Sequence, residues 1–188
     1  MDPLDFLSHR RSVPSRLLAE PGPNAHQLDA LLTAALRVPD HGKLAPWRFI
    51  TIEGDARHAF GARLAARALE LDPNAPPSVV EKDRTRFSFA PLIIAVIATP
   101  IEGHKVPVIE QLMSGGAACF ALLQGAQALG FGAQWLTGWA AYDRVILGSL
   151  GLASHEQLLG FIHIGTPSGD VPDRLRPRLE SKRTGWTP

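Results

Sequence analysis

The run Leu92–Ala98, LIIAVIA, carries an apolar side chain at every position. A strand that is apolar on both faces gains fully from burial only when both faces are covered. The run is too short for a membrane crossing, which takes roughly 18 to 20 residues as a helix. Leu92–Thr99 is therefore predicted to be a strand in the middle of a sheet with helices on each side. A chain of 188 residues, 45% hydrophobic, is long enough to fill such a core as one domain.

The flanking segments supply the covering helices. Asp2, Pro3 and Asp5 give an N-cap, a proline at the first helical position and an acid in the first turn, so a short helix should end near Arg10. Asn24 and Gln27 form a capping pair. Leu28, Leu31, Leu32, Ala35 and Leu36 then recur at helical spacing until Pro39. Trp47–Glu53 is aromatic and β-branched and reads as a strand; Asp55 is expected to cap a helix to Leu71. The stretch 72–77 cannot continue a helix and is a candidate lid, after which Ser78 and Glu81 are expected to cap another helix.

Val108–Leu129 is rich in small residues, including Gly115, Gly116, Ala117 and Ala118, and is expected to be a buried, dimer-forming helix. Gly130 and Gly132 end it, and Ala133–Leu136, Tyr142–Leu150 and Leu159–Ile164 follow as strand, helix and strand. Two helices before the first strand argue against a simple doubly wound nucleotide fold. The expected architecture is an α/β (α+β) sandwich over 1–188, with 167–188 as an extended basic tail.

Charge removes several function classes. With 19 basic and 18 acidic residues the net charge is +1, which provides no general field for a nucleic acid, so cations that matter must act as a local cluster. The N-terminal residues lack the basic and apolar regions of a secretory signal, and a cytoplasmic location is expected. The single cysteine, Cys119, excludes a disulfide framework within the chain and is expected to be a buried, inert thiol.

Three segments have side chains suited to binding. Arg10, Arg11 and Ser12 offer two guanidinium forks and a hydroxyl, a set that suits a terminal phosphate, although two cations also stabilise the end of a helix. Arg37, His41 and Lys43 lie close together on a loop whose backbone is fixed by Pro39, Gly42 and Pro46. Trp135, Leu136 and Thr137, followed by Gly138 and Trp139, could pack and hydrogen-bond a planar ring system at a strand end. Each alone is as well explained by a surface turn or a core packing site.

Taken together, in this order and spacing, Arg10-Arg11-Ser12, Arg37 with Pro39-Asp40-His41, Pro46-Trp47, His104 to Pro107, Gly130 to Gly132, Trp135-Leu136-Thr137-Gly138 and Gly165-Thr166-Pro167 resemble the nitroreductase family, and within it the short single-domain bacterial branch. That resemblance implies a three-layer sandwich with a mixed central sheet, assembled as an intertwined homodimer. It also implies FMN at the interface, with Arg10, Arg11, Ser12, Trp135, Leu136 and Thr137 from one subunit and Arg37 and His41 from the other. NAD(P)H is the implied co-substrate, with electron-poor nitroaromatics or quinones as acceptors in a ping-pong cycle. The chain departs from the branch at Leu136, where relatives tend to carry arginine, and at Gly42, where a longer polar residue is common.

Other chemistries fit less well. No two of the seven histidines stand at ligand spacing with a carboxylate, Ser114 lacks the glycine two residues earlier that a nucleophile elbow needs, and Gly125–Gly130 has no phosphate-loop lysine. A flavin-family relative with other chemistry, such as flavin breakdown or dehalogenation, and a flavin-binding module with little turnover remain the alternatives.

Overall fold

The computed structural model of the protein describes residues 2–188. In chain order the elements are α1 (Pro3–Ser8), β1 (Leu18–Ala19), α2 (Ala25–Ala35), β2 (Trp47–Glu53), α3 (Asp55–Leu71), α4 (Pro77–Thr85), β3 (Leu92–Ala98), α5 (Val108–Ala128), β4 (Gly132–Leu136), α6 (Arg144–Ser149) and β5 (Gln157–Pro167). Strand β3 is buried along its whole length, as its unbroken apolar run requires. It lies between β2 and β5, while β4 and the short β1 share the other edge of β5.

The helices divide between the two faces by strand parity. Ile93, Ala95 and Ile97 of β3 pack with Phe60 and Leu64 of α3, Phe87, Phe161 and Ile146 of α6. Leu92, Ile94 and Val96 pack with Leu31 and Ala35 of α2 and Cys119, Leu122 and Ala126 of α5. The three-layer sandwich is thus formed as expected. On the first face Phe87 packs edge-on against both Phe60 and Phe161, with centroids 4.8 and 4.9 Å apart, a geometry that adds about 0.5–1.5 kcal/mol per pair beyond burial.

The sheet is not mixed at any pairing of the described residues: every neighbour is antiparallel. The connections explain this. Two helices, α3 and α4, separate β2 from β3, so the chain reverses direction between these adjacent strands. One helix, α5, separates β3 from β4, which therefore run the same way, but β5 inserts between them and opposes both.

Several local starts differ from expectation. Helix α1 ends at Ser8 with His9 as its C-cap, just before Arg10, and the departures are at other helices. Gly54, at φ 53°, is the N-cap of α3, and Asp55 is its first helical residue. Pro76 precedes α4 and Pro77 opens it with no side-chain cap, since proline already fixes the helical φ. Asp143, not Tyr142, starts α6, accepting from Val145 N–H and Ile146 N–H at 3.0 and 2.9 Å. The Asn24–Gln27 capping box forms as expected.

Candidate functional site

Strand β4 organises the site. Its inner edge pairs with β5, and its outer edge receives the N-terminal segment: Val13 N–H donates to the Ala133 carbonyl at 3.0 Å, and Ser15 N–H to Gln134 Oε1 at 2.6 Å. The chain from Arg10 to Arg16 is thereby fastened alongside Gly132–Leu136. Two of the three candidate segments are brought together in this way.

Arg10, Arg11 and Ser12 form a cluster that the C-terminal tail completes. Arg10 Nη1 donates to Ser12 Oγ at 3.1 Å, and Arg11 donates to the His9 carbonyl at 2.9 Å. Asp173 bridges Arg11 and Arg176, each at 3.2 Å, and Arg176 also donates to the Arg10 carbonyl at 3.4 Å. Burial lowers the Arg10 guanidinium from its ordinary value, and the positive charges of Arg176, Arg174 and Arg11 lower it further. Arg11, Ser12, Arg174 and Arg176 line a cavity of about 210 Å³. Four arginines with one carboxylate leave a surplus of positive charge that a phosphate dianion would offset.

Arg174 and Arg176 are members of this cluster that reasoning from the sequence did not assign. The visible signal was the concentration of arginines after Pro167. What could not be seen was that the tail folds back onto the N-terminal segment.

A larger cleft of about 780 Å³ is lined by the next residues of the same segment, Pro14, Ser15 and Arg16, by part of α4 and by Gln134–Gly138. Leu136 and Thr137 of the third segment line it. Trp135 is committed to the scaffold: its indole N–H donates to the Leu159 carbonyl at 3.0 Å. That carbonyl is free because the β3–β5 register passes from Val96↔Gly160 to Ile97↔Leu158, leaving Leu159 as a bulge. The next residue must be glycine, since a Cβ at Gly160 would stand 2.0 Å from Trp135 Nε1.

Arg37 and His41 stand apart from these residues and line neither of these cavities. Arg37 is exposed just beyond α2 and makes no side-chain hydrogen bond or ion pair among the described residues. His41 Nδ1 is paired with Glu110 in the first turn of α5. The loop that follows His41 is strained: Gly42, Lys43 and Ala45 have φ of 77°, 55° and 45°, and the Asp40 carboxylate accepts from Ala45 N–H at 2.7 Å. Gly42 adopts its positive φ without steric cost, and a Cβ there would stand 3.2 Å from Val106 Cγ2.

The single cysteine is structural. Burial pushes the Cys119 thiol up to about 12, so it stays protonated and unreactive. No group of three or more His, Cys, Asp or Glu among the described residues is placed to hold a metal ion. No helix among them is long and apolar enough to cross a membrane.

Comparison with known proteins gives this geometry its context. The model of the nitroreductase family matches residues 7–166. The protein named "Putative NAD(P)H nitroreductase YdjA" from Escherichia coli strain K12 is 40% identical over 179 residues, covering 92% of this chain and 96% of that protein. The crystal structure of a nitroreductase-like family protein from Bacillus cereus superposes with a TM-score of 0.83 at 21% identity, over 98% of this chain and 95% of that one. A mutant of the FMN and NADPH-dependent nitroreductase NfnB, derived from "sphigopyxis sp. strain HMH", gives a TM-score of 0.76 at 18% identity over 99% of each chain. By its matched sequence model and its fold, this chain belongs to the nitroreductase family.

Proposed function

We propose that the protein is an FMN-dependent oxidoreductase that takes hydride from NADH or NADPH and passes it to nitroaromatic or quinone-like acceptors in a ping-pong cycle. The observation that carries this reading is the joining of an arginine cluster to a ring-sized cleft by one short segment, residues 11–16. Arg10, Arg11, Ser12, Arg174 and Arg176 would hold the phosphate, and Leu136 and Thr137 would border the ring, with Trp135 keeping that wall in place. Bound FMN supplies a two-electron carrier, and the protein has to bind, orient and expose it. The similarity to NAD(P)H nitroreductases supports the choice of donor.

Arg37 and His41 enter this reading through a second copy of the chain. Ile109, Met113 and Phe120 lie along one exposed side of α5, with open space at Gly116 between them. An apolar stripe of this kind is costly to leave in water. Glu110, which pairs with His41, belongs to the same helix, and the half-exposed Trp135 lies on the face of the sheet that α5 covers. Pairing two such faces would carry Arg37 and His41 of each protomer towards its partner's Arg10–Ser12 segment.

The visible spectrum of the protein loaded with FMN tests the reading. Anaerobic NADH or NADPH should bleach the oxidised-flavin bands, and a nitroaromatic should restore them. Flavin bands that persist would leave a binding module, and protein that takes up no FMN would refute the cofactor assignment.

A further inference from the structure

The cleft of about 780 Å³ has a one-sided charge. Its lining includes Arg16, Lys82 and Arg86 and no acidic residue. In a chain with 19 basic and 18 acidic residues this is a local arrangement. Lys82, Thr85 and Arg86 are separated by three and four positions, so the end of α4 presents them on one side. Phe89, exposed, and Leu136 add apolar wall. Neither Arg16 nor Lys82 makes a side-chain hydrogen bond or ion pair among the described residues.

Arg86 is held in place by contacts that leave most of its donors unused. Asp83, almost fully buried, stands 3.0 Å from Arg86 Nη2, and its other oxygen accepts the Trp139 indole N–H at 3.1 Å. The opposite side of the guanidinium lies against Gly138, where a Cβ would be 2.8 Å from Nη1. Gly138 also has φ 83°, so the backbone and the guanidinium both exclude a side chain there. The indole, the carboxylate and the glycine together aim a cation at the Leu136–Gly138 wall.

We propose that Arg16, Lys82 and Arg86 form an oxyanion-receiving subsite that selects small molecules carrying a carboxylate or phosphate beside a planar apolar part. A guanidinium held by one carboxylate still has N–H donors for a second acceptor, and two uncompensated cations beside it retain a net attraction for an anion. Asp83 and Trp139 are positioning residues in this arrangement. The proposal rests on the reading of Leu136 and Thr137 as the flavin's border. The oxyanion belongs either to the electron acceptor or to a phosphate of the dinucleotide.

The test uses FMN-loaded protein and two matched pairs, 4-nitrobenzoate against nitrobenzene and NADPH against NADH. Dissociation constants come from tryptophan quenching and kcat/KM from turnover, for wild type, Arg86→Gln and the double variant Arg16→Gln/Lys82→Gln. Because Arg86→Gln strands the buried Asp83, the double variant decides the matter if that protein folds poorly. A fall of about tenfold in the preference for 4-nitrobenzoate over nitrobenzene supports the subsite with the acceptor as its occupant. The same fall confined to NADPH over NADH supports it with the dinucleotide phosphate as its occupant. Ratios within twofold of wild type in both pairs overturn it. If the protein takes up no FMN, the quenching data still stand: tighter binding of 4-nitrobenzoate, lost in the variants, keeps the subsite and discards only the flavin reading, whereas equal binding of the two compounds discards the subsite.

Discussion

Replacing Glu156 by glutamine should destabilise the protein at neutral pH and cease to matter in acid. Arg48 clamps both carboxylate oxygens of Glu156 at 2.7 Å, and Ala153 N–H adds a third bond at 2.9 Å. The Arg48 hydrogen bonds lower the Glu156 carboxyl from 4.5 to about 2 against the opposing effect of burial. At about 1.36 kcal/mol per unit this shift corresponds to roughly 3.4 kcal/mol of folding stability. The Arg48 side chain is 38% exposed, so solvent screening reduces the expected loss to about 2–3 kcal/mol. The folded value lies below the unfolded one, so the contribution is present above pH 4.5 and disappears as pH falls through about 2; roughly three-fifths is gone by pH 3. Urea unfolding of both proteins from pH 7 to pH 3, at one protein concentration, measures the difference directly. A gap that keeps its size over that range, or one below about 0.5 kcal/mol at pH 7, would refute the assignment of the shift to the Arg48 clamp.

Three further outcomes are expected. His163 is buried with no hydrogen-bond partner for either ring nitrogen among the described residues, and burial lowers it from 6.5 to about 4; the unfolded chain alone binds the proton in that window, so wild type should lose about 3 kcal/mol as pH falls through it and His163→Leu should flatten the curve. Gly160→Ala should displace the Trp135 indole, costing about 1–3 kcal/mol and altering tryptophan emission; unchanged emission would contradict the close packing at 2.0 Å. Mixing Arg10→Ala with His41→Ala protein should restore FMN binding at about a quarter of the sites, since half the dimers would be mixed and each would hold one intact site; no restoration would mean that one chain supplies the whole site.

The parts of this fold that were legible in the sequence are those decided by side chains near one another along the chain. The unbroken apolar run of β3, the strand Trp47–Glu53 and the Asn24–Gln27 box all depend on local periodicity or capping, and all formed within a residue of expectation. Directions within the sheet were not legible, because β5, last in sequence, inserts between β3 and β4 and opposes both. The candidate site divides along the same line. Arg10, Arg11, Ser12, Leu136 and Thr137 were visible as short segments, whereas Arg174 and Arg176 depend on the tail returning over more than 160 residues to the Arg10 carbonyl. Arg86 has Asp83 at local i,i+3 spacing, but its setting also depends on Trp139 and Gly138, which lie more than 50 residues further along the chain.

The bulge at Leu159 shows how a feature of the sheet becomes a feature of the site. Without the extra residue, the Leu159 carbonyl would pair within the ladder and the Trp135 indole N–H would lose its acceptor. The same residue packs the other way: a Cβ at Gly115 would stand 2.3 Å from its side chain, so glycine there lets Leu159 keep this rotamer under α5. Gly115, Leu159, Gly160 and Trp135 are therefore one packing unit. It joins the helix that carries the exposed Ile109–Phe120 stripe to the strand that borders the cleft. Pairing a second chain on α5 would press on that unit, so assembly and the shape of the flavin's border should be coupled mechanically. Weakening the stripe, as in Met113→Asp, should then loosen FMN binding even though residue 113 lines neither the cleft nor the arginine-lined cavity.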